Sequence, residues 1–290
     1  MNNLSFVIPV FNVERYLRRC LDSVLVNNED FNVFVIDDCS TDSSGEILDS
    51  YKDPRLTVVH LEKNIGLADV KNYALDNLPL RDWVGIVDSD DWINSGLYLK
   101  VFSQGVSSST EVDMISLGAN IVYDGRLSRP VKIGDVTSDY IVEDPFEVFE
   151  TDRNSSWSLI TKRSLFGTDI RFPSGRVYED VATNYKLVER ARKIFVSKEA
   201  PYYYLFRDSS ISHKSTLKNE TDRLLSHTEF YEAVKGKVSK KVLKRILSDI
   251  RCTSEYIVSS FKKRPETELA YYWKQNLYNI NEFLKNSFTE

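Results

Sequence analysis

The chain has 290 residues, with 42% hydrophobic and 28% charged side chains and a net charge of −5. That length and composition fit one large α/β domain with an appendage, or two small domains, and exclude a disordered chain. The acidic balance argues against a general nucleic-acid binder. Three widely spaced cysteines, Cys20, Cys39 and Cys252, form neither a disulfide framework nor a metal-ligand pair, so a reducing, cytoplasmic setting is expected.

Leu4 to Phe11 is a short apolar run that reads as a first strand rather than a signal peptide. Val13, Tyr16, Leu17, Cys20, Leu21, Val24 and Leu25 then repeat at helical spacing. Phe31 to Ile36 predicts a second buried strand ending in Asp37-Asp38, and Ser40-Thr41-Asp42 supplies helix caps before Ile47 and Leu48. Leu56 to Leu61 predicts a third strand, Leu67 to Leu78 a helix, and Trp83 to Val87 a fourth strand. Such alternation of continuous apolar strands with helices predicts a parallel sheet covered on both faces.

Farther along, Asp113 to Tyr123 is expected as one strand and Arg126 to Tyr140 as loop and edge strand. Pro145 to Glu150 reads as a short helix, and Ser156 to Ile160 as an apolar packing segment. A helix carrying Val181, Tyr185 and Val188 follows, then strands at Ile194–Val196 and Tyr202–Leu205. From Thr216 to Glu290 helical spacing dominates. No run of about 18 apolar residues suggests a membrane span.

Open parallel sheets bind ligands beyond the carboxyl ends of their strands. Here those ends carry Phe11-Asn12, Asp37-Asp38 and Asp88-Ser89-Asp90-Asp91. Carboxylates spaced as Asp88 and Asp90 can share one hard cation such as Mg²⁺ or Mn²⁺, completed by water and substrate phosphates. The rival reading is a solvated acidic turn, which the convergence of three polar strand ends disfavours.

The stretches FVIPVFN, VIDDCSTD, NIGLADVKNYAL and VGIVDSDDW, over residues 4 to 92, resemble in order and separation the family 2 glycosyltransferases of GT-A fold. WSLITKRSLF, FPSGRVYEDV and YLFRDSSISH resemble the acceptor side of capsule and surface-polysaccharide members. The resemblance implies a Rossmann-like nucleotide-sugar-binding α/β domain over residues 1–215, with donor binding in 1–110 and the acceptor side in 111–215, and a helical appendage at 216–290.

On that resemblance Pro9, Val10, Phe11, Asn12 and Glu14 line the nucleoside pocket, and Asp38 accepts the uracil N3–H. Asn64 and Lys71 contact the base or diphosphate. Members commonly carry arginine where Lys71 stands, and lysine loses the bidentate fork. Asp88 lies near ribose and metal, Asp90 is the principal ligand of Mn²⁺ or Mg²⁺, and Ser89 and Asp91 fall on the donor side, Asp91 toward the sugar. Asp180 is implied as the catalytic base, with Glu179 beside it. At a helix start the dipole would favour the ionised form. Trp157 is offered as an acceptor platform or as core, Arg207 as a diphosphate contact, and His213 as a third metal ligand.

The implied activity is an inverting, metal-dependent transfer from a nucleotide-diphospho-sugar, UDP-linked, to a saccharide or lipid-linked acceptor. The basic segment KGKVSKKVLKR is either a solvated helix face or a peripheral membrane contact, and AYYWKQNLYNINEF packs on the domain or forms a homodimer contact. The alternatives are a catalytically silent sugar- or nucleotide-binding module and a sugar nucleotidyltransferase. The latter wants a glycine-rich basic loop after the first strand, which PVFNVERY is not. An NAD-dependent oxidoreductase is disfavoured because no G-x-G-x-x-G follows that strand.

Overall fold

The computed structural model describes residues 3–26, 29–123, 131–133, 136–207 and 216–262. Four strands form the first half: β1 (Leu4–Val10), β2 (Asn32–Asp37), β3 (Leu56–His60) and β4 (Trp83–Ile86). They pair in parallel in the order β3-β2-β1-β4. β1 is buried along its whole length, which explains its unbroken apolar run, as expected of a central strand with both faces covered.

Helices α1 (Glu14–Leu25), α2 (Ser44–Ser50) and α3 (Leu67–Asn77) connect these strands. α1 buries Leu17, Cys20, Leu21 and Val24, the three-and-four spacing visible in the sequence. A further helix, α4 (Ser95–Ser108), is not among the elements expected from the sequence, although Tyr98, Val101, Phe102 and Gly105 repeat at helical spacing on its buried face.

The side chains of β1 alternate between two cores. Leu4, Phe6, Ile8 and Val10 face the core that contains α1, α2 and α4. Val7 faces the other, with α3 and the later helices. Each fully buried Val, Leu, Ile or Phe contributes about 1.5–3 kcal/mol, so register is set strongly on both faces.

The second half corrects the sequence reading in three places. The expected single strand at 113–123 is two, β6 (Val112–Ser116) and β7 (Ala119–Tyr123), numbered after the short β5 (Trp92–Ile93). β6 stays in the large sheet and β7 enters a second, four-stranded one. The chain changes sheets at Leu117-Gly118, where a Cβ on Gly118 would stand 3.0 Å from the Glu199 carbonyl oxygen. Only glycine allows that approach without displacement.

The second correction is at Leu159–Lys162. This packing segment is strand β10, numbered after β8 (Val131–Ile133) and β9 (Tyr140–Val142), and it runs antiparallel between β4 and β6. With β11 (Lys193–Val196) and β9 it completes an eight-stranded sheet. β12 (Tyr202–Phe206) pairs with β5 and β7 in the small sheet. The expected helix near residue 145 is a 3-10 turn, Pro145–Thr151.

Three helices complete the described chain: α5 (Val181–Arg190), α6 (Leu217–Val234) and α7 (Lys240–Lys262). Leu224, Phe230 and Val234 of α6 and Val242, Ile246 and Ile250 of α7 share a core with α3 and α5. Phe230 meets Phe149 edge-on at 4.9 Å. The C-terminal part is helical as expected, and this helical pair packs into the main core. No helix among the described residues is long and apolar enough to cross a membrane.

Candidate active site

The site begins where the parallel strands end. Beyond β1, Phe11 is 44% exposed and Asn12 has a positive φ of 52°. Asn12 is spent on stitching two loops together: its Oδ1 accepts from the Thr41 N–H at 2.7 Å, and its own N–H donates to Ser40 Oγ. Glu14 and Asp42 do the same reciprocally, Glu14 Oε2 accepting from Ser43 N and Asp42 Oδ2 from Glu14 N. Pro9 and Val10 lie buried in β1. Of the residues expected to line a nucleoside pocket here, Phe11 presents the open apolar face.

Asp38 follows β2 and is almost fully buried. Its Oδ1 accepts from the Ile65 N–H at 2.7 Å and its Oδ2 from the Gly66 N–H at 2.8 Å, pinning the loop before α3. Asn64 Nδ2 donates to the Asp38 carbonyl. Burial pushes the Asp38 carboxyl up, and the two backbone donors oppose it.

Beyond β4 the acidic turn divides its work. Asp88 is half-buried, with its carboxyl enclosed by the cleft walls, and it is pushed up to about 7 by burial and by repulsion from Asp90, Glu179 and Asp180, with Lys71 opposing. Asp90 is gripped by Arg207, whose Nη2 and Nε donate to Oδ2 at 2.6 and 2.8 Å. The Arg207 guanidinium also lies 4.9 Å from the centre of the Tyr16 ring.

Asp91, expected to face the sugar, instead turns into the protein and is 1% exposed. It accepts from the Tyr202 hydroxyl and from the Leu205 N–H, each at 2.7 Å. Its task is to hold the turn against β12. Ser89 is buried beside it.

Glu179 and Asp180 precede α5. Asp180 is the N-cap and accepts from the Val181 N–H at 2.8 Å. The expected ionising effect of the helix start is outweighed: burial, then the neighbouring Glu179, push its carboxyl up to about 6, with Lys71 opposing. Lys71, expected on the base or diphosphate, is 4% exposed and its Nζ donates to Glu179 Oε1 at 2.7 Å. Its ammonium serves the protein's own carboxylates.

Trp157 sits on a 3-10 turn, Ser156–Ser158, whose Ser156 backbone lies against Asp180. The indole stacks on Tyr202 at 4.7 Å and on Tyr204 at 5.8 Å, so part of its surface is spent on packing. His213 lies outside the described residues.

The clustered carboxylates fit a hard divalent ion in chemistry, since they supply oxygen donors and a mutual repulsion at Asp88 that a cation would relieve. Asp88 and Asp90 are the residues that would supply them. Among the described residues no group of three or more metal-ligating side chains forms a self-sufficient cage. The sequence reading missed Tyr202, whose hydroxyl also accepts from the Asp88 N–H at 3.1 Å. A Tyr-Tyr-Tyr strand gives no local signal of which ring turns toward the site.

A Rossmann-like parallel half-sheet, an acidic turn at its carboxyl edge and a second sheet closing over that edge define the GT-A class of α/β fold. Residues 5–104 match the model of glycosyl transferase family 2, so this part of the chain belongs to that family. Glycosyltransferase GlyA of Streptococcus pneumoniae is 28% identical over 228 residues, covering 75% of this chain and 32% of the relative. The poly(ribitol-phosphate) beta-glucosyltransferase of Bacillus spizizenii is 32% identical over 212 residues, covering 70% of this chain and 32% of the relative. The chain thus spans about a third of the length of these two curated relatives. S. aureus TarS 1-349, solved in complex with UDP-GlcNAc, superposes with a TM-score of 0.68 at 21% identity, covering 100% of this chain and 92% of that one.

Proposed function

We propose that this chain transfers a sugar from a nucleotide-diphospho-sugar to a hydroxyl of a saccharide or lipid-linked acceptor in the synthesis of a bacterial surface polymer, with inversion at the anomeric carbon. The observation that carries the reading is the approach of Asp180 to Asp88, from opposite halves of the chain, close enough that Asp180 raises the proton affinity of Asp88. A UDP-linked donor is supported by the TarS complex with UDP-GlcNAc, and a surface-polymer acceptor by the named activity of the Bacillus spizizenii relative.

In this mechanism Asp180 accepts the proton of the acceptor hydroxyl as its oxygen attacks the anomeric carbon. The bond from that carbon to the diphosphate oxygen breaks on the opposite face, and the nucleoside diphosphate departs. Asp88 and Asp90 would hold Mn²⁺ or Mg²⁺, which supplies charge stabilisation to the leaving diphosphate. Phe11 offers an apolar face at the mouth of the pocket, and Asp38 fixes the loop opposite. The stacked Trp157 borders the acceptor side.

Asp180→Asn tests the assignment. Turnover with a donor panel of nucleotide-sugars and Mn²⁺ is expected to fall about 10²–10⁴-fold with UDP affinity retained. Normal turnover in the folded variant would remove Asp180 as the base. Because the Asp180 carboxyl is pushed up to about 6, the ionised base is lost as pH falls through that value. The wild-type rate should therefore decline on the acid side of about pH 6, and a flat profile down to about pH 5 contradicts the role.

A further inference from the structure

Lys71 and Glu179 form an ion pair in which both side chains are nearly inaccessible, 4% and 6% exposed, and whose partners are 108 residues apart in sequence. Lys71 comes from α3, in the donor half. Glu179 belongs to the dipeptide that opens α5, in the acceptor half. Burying two charges is costly, and replacing such a pair by apolar residues is often neutral or stabilising, so stability alone gives weak reason to build one.

Apart from the Ser156 backbone, which bonds Asp180 from the 3-10 turn, the other bonds at this dipeptide are local. Thr183 Oγ1 donates to the Glu179 carbonyl, the Val181 N–H donates to the Asp180 side chain, and the Thr183 and Asn184 N–H groups donate to the Asp180 carbonyl. These fix the dipeptide to its own helix, while Asn72 and Asp69 of α3 bond Phe172 and Ser174 ahead of it. The Lys71 ammonium carries the connection from α3 to the dipeptide itself, and it rests 5.1 Å from the centre of the Phe172 ring, which holds it in line.

We infer that Lys71 is a positioning residue for the transfer reaction: through Glu179 it sets the Asp180 carboxylate against the donor edge of the sheet, and it does not bind the nucleotide. The inference rests on the proposed transfer and base roles. Lysine suits the task because a compact ammonium forms one short bond in a closed space, whereas the wider guanidinium fork serves open phosphate oxygens.

The test separates kcat from donor affinity. In Lys71→Met, kcat at saturating donor is expected to fall by about tenfold or more, since small displacements of a catalytic group cost up to about 10²-fold, while the Kd for UDP with Mn²⁺ stays within about twofold. Lys71→Arg, which keeps the charge and a donor to Glu179, should recover part of the lost kcat. A UDP Kd weakened by about tenfold or more in Lys71→Met, with kcat unchanged, would overturn the inference and make Lys71 a donor contact.

If Lys71→Met leaves Glu179 too costly to bury and the variant does not fold, Lys71→Met/Glu179→Met removes both charges. UDP affinity in that double variant is then decisive: wild-type affinity supports the positioning role, and about tenfold loss overturns it. Failure of the base assignment would show separately, as normal turnover in Asp180→Asn.

Discussion

Gly85 and Tyr98 show how one residue's size is set by another's misfit. Tyr98 is fully buried in α4, and its hydroxyl has no hydrogen-bond partner among the described residues. A Cβ on Gly85 in β4 would stand 2.5 Å from that oxygen. Gly85→Ala should therefore cost about 1–3 kcal/mol by overpacking. Tyr98→Phe should be neutral or stabilising by about 1 kcal/mol, because it removes an unpaired buried hydroxyl. The double variant should recover most of the Gly85→Ala loss; urea unfolding of all three measures the coupling, and simple additivity would refute it. At this scale the sequence made the identities legible but not the directions. Asp90 pairs with Arg207, whereas Asp91, one residue on, points inward because β12 offers it Tyr202 and the Leu205 N–H. No sequence pattern announces which of three adjacent carboxylates a distant strand will claim.

Between elements, His60 at the end of β3 ties its strand to Asp37 of β2 at 2.9 Å and to Asp49 of α2 at 3.2 Å. The Asp37 hydrogen bond, and then that of Asp49, raise the imidazole's proton affinity against the effect of burial. A folded-state value above the unfolded one means the staple contributes fully below about pH 6.5 and is lost as pH rises through the raised value. The stability advantage of wild type over His60→Gln should accordingly be larger near pH 5 than near pH 8. An advantage that grows with pH would show that the staple works in another way. The elements themselves were legible where periodicity ran long enough. β1 to β4 and α1, α3 and α5 carry clear apolar patterns, while β10 has four residues, too few to separate a central strand from packed loop. The break between β6 and β7 hides in a stretch that reads as one strand, because the cause, the Glu199 carbonyl pressed on Gly118, lies about 80 residues away.

For the molecule as a whole, the C-terminal helices belong to the site as well as to the core. α6 reaches the segment before Asp180 several times: Lys218 donates to the Gly175 carbonyl, Asp222 accepts from the Val177 N–H, and Arg176 bonds Glu229. Between them stands Tyr178 with a φ of 59°, a conformation that a non-glycine residue holds only when its surroundings require it. A chain ended at residue 215 would strip the cover from Phe149, Leu187 and Val188 and untie this segment. It should aggregate or elute as a soluble oligomer on size exclusion; a monodisperse, fully active fragment would show that the helices are dispensable. The sequence suggested a boundary near residue 216 because composition shifts there, but a composition shift says nothing about which side of the sheet the helices will cover.

Tyr202 gives the assembly its mechanical character. Its phenol oxygen touches the Asp88 backbone and the Asp91 side chain together, and it extends from the strand that ends in Phe206, one residue before Arg207. The small sheet and the turn that ends β4 are therefore riveted at one phenol oxygen, so the position of the acidic turn is set by a strand more than 110 residues away in sequence.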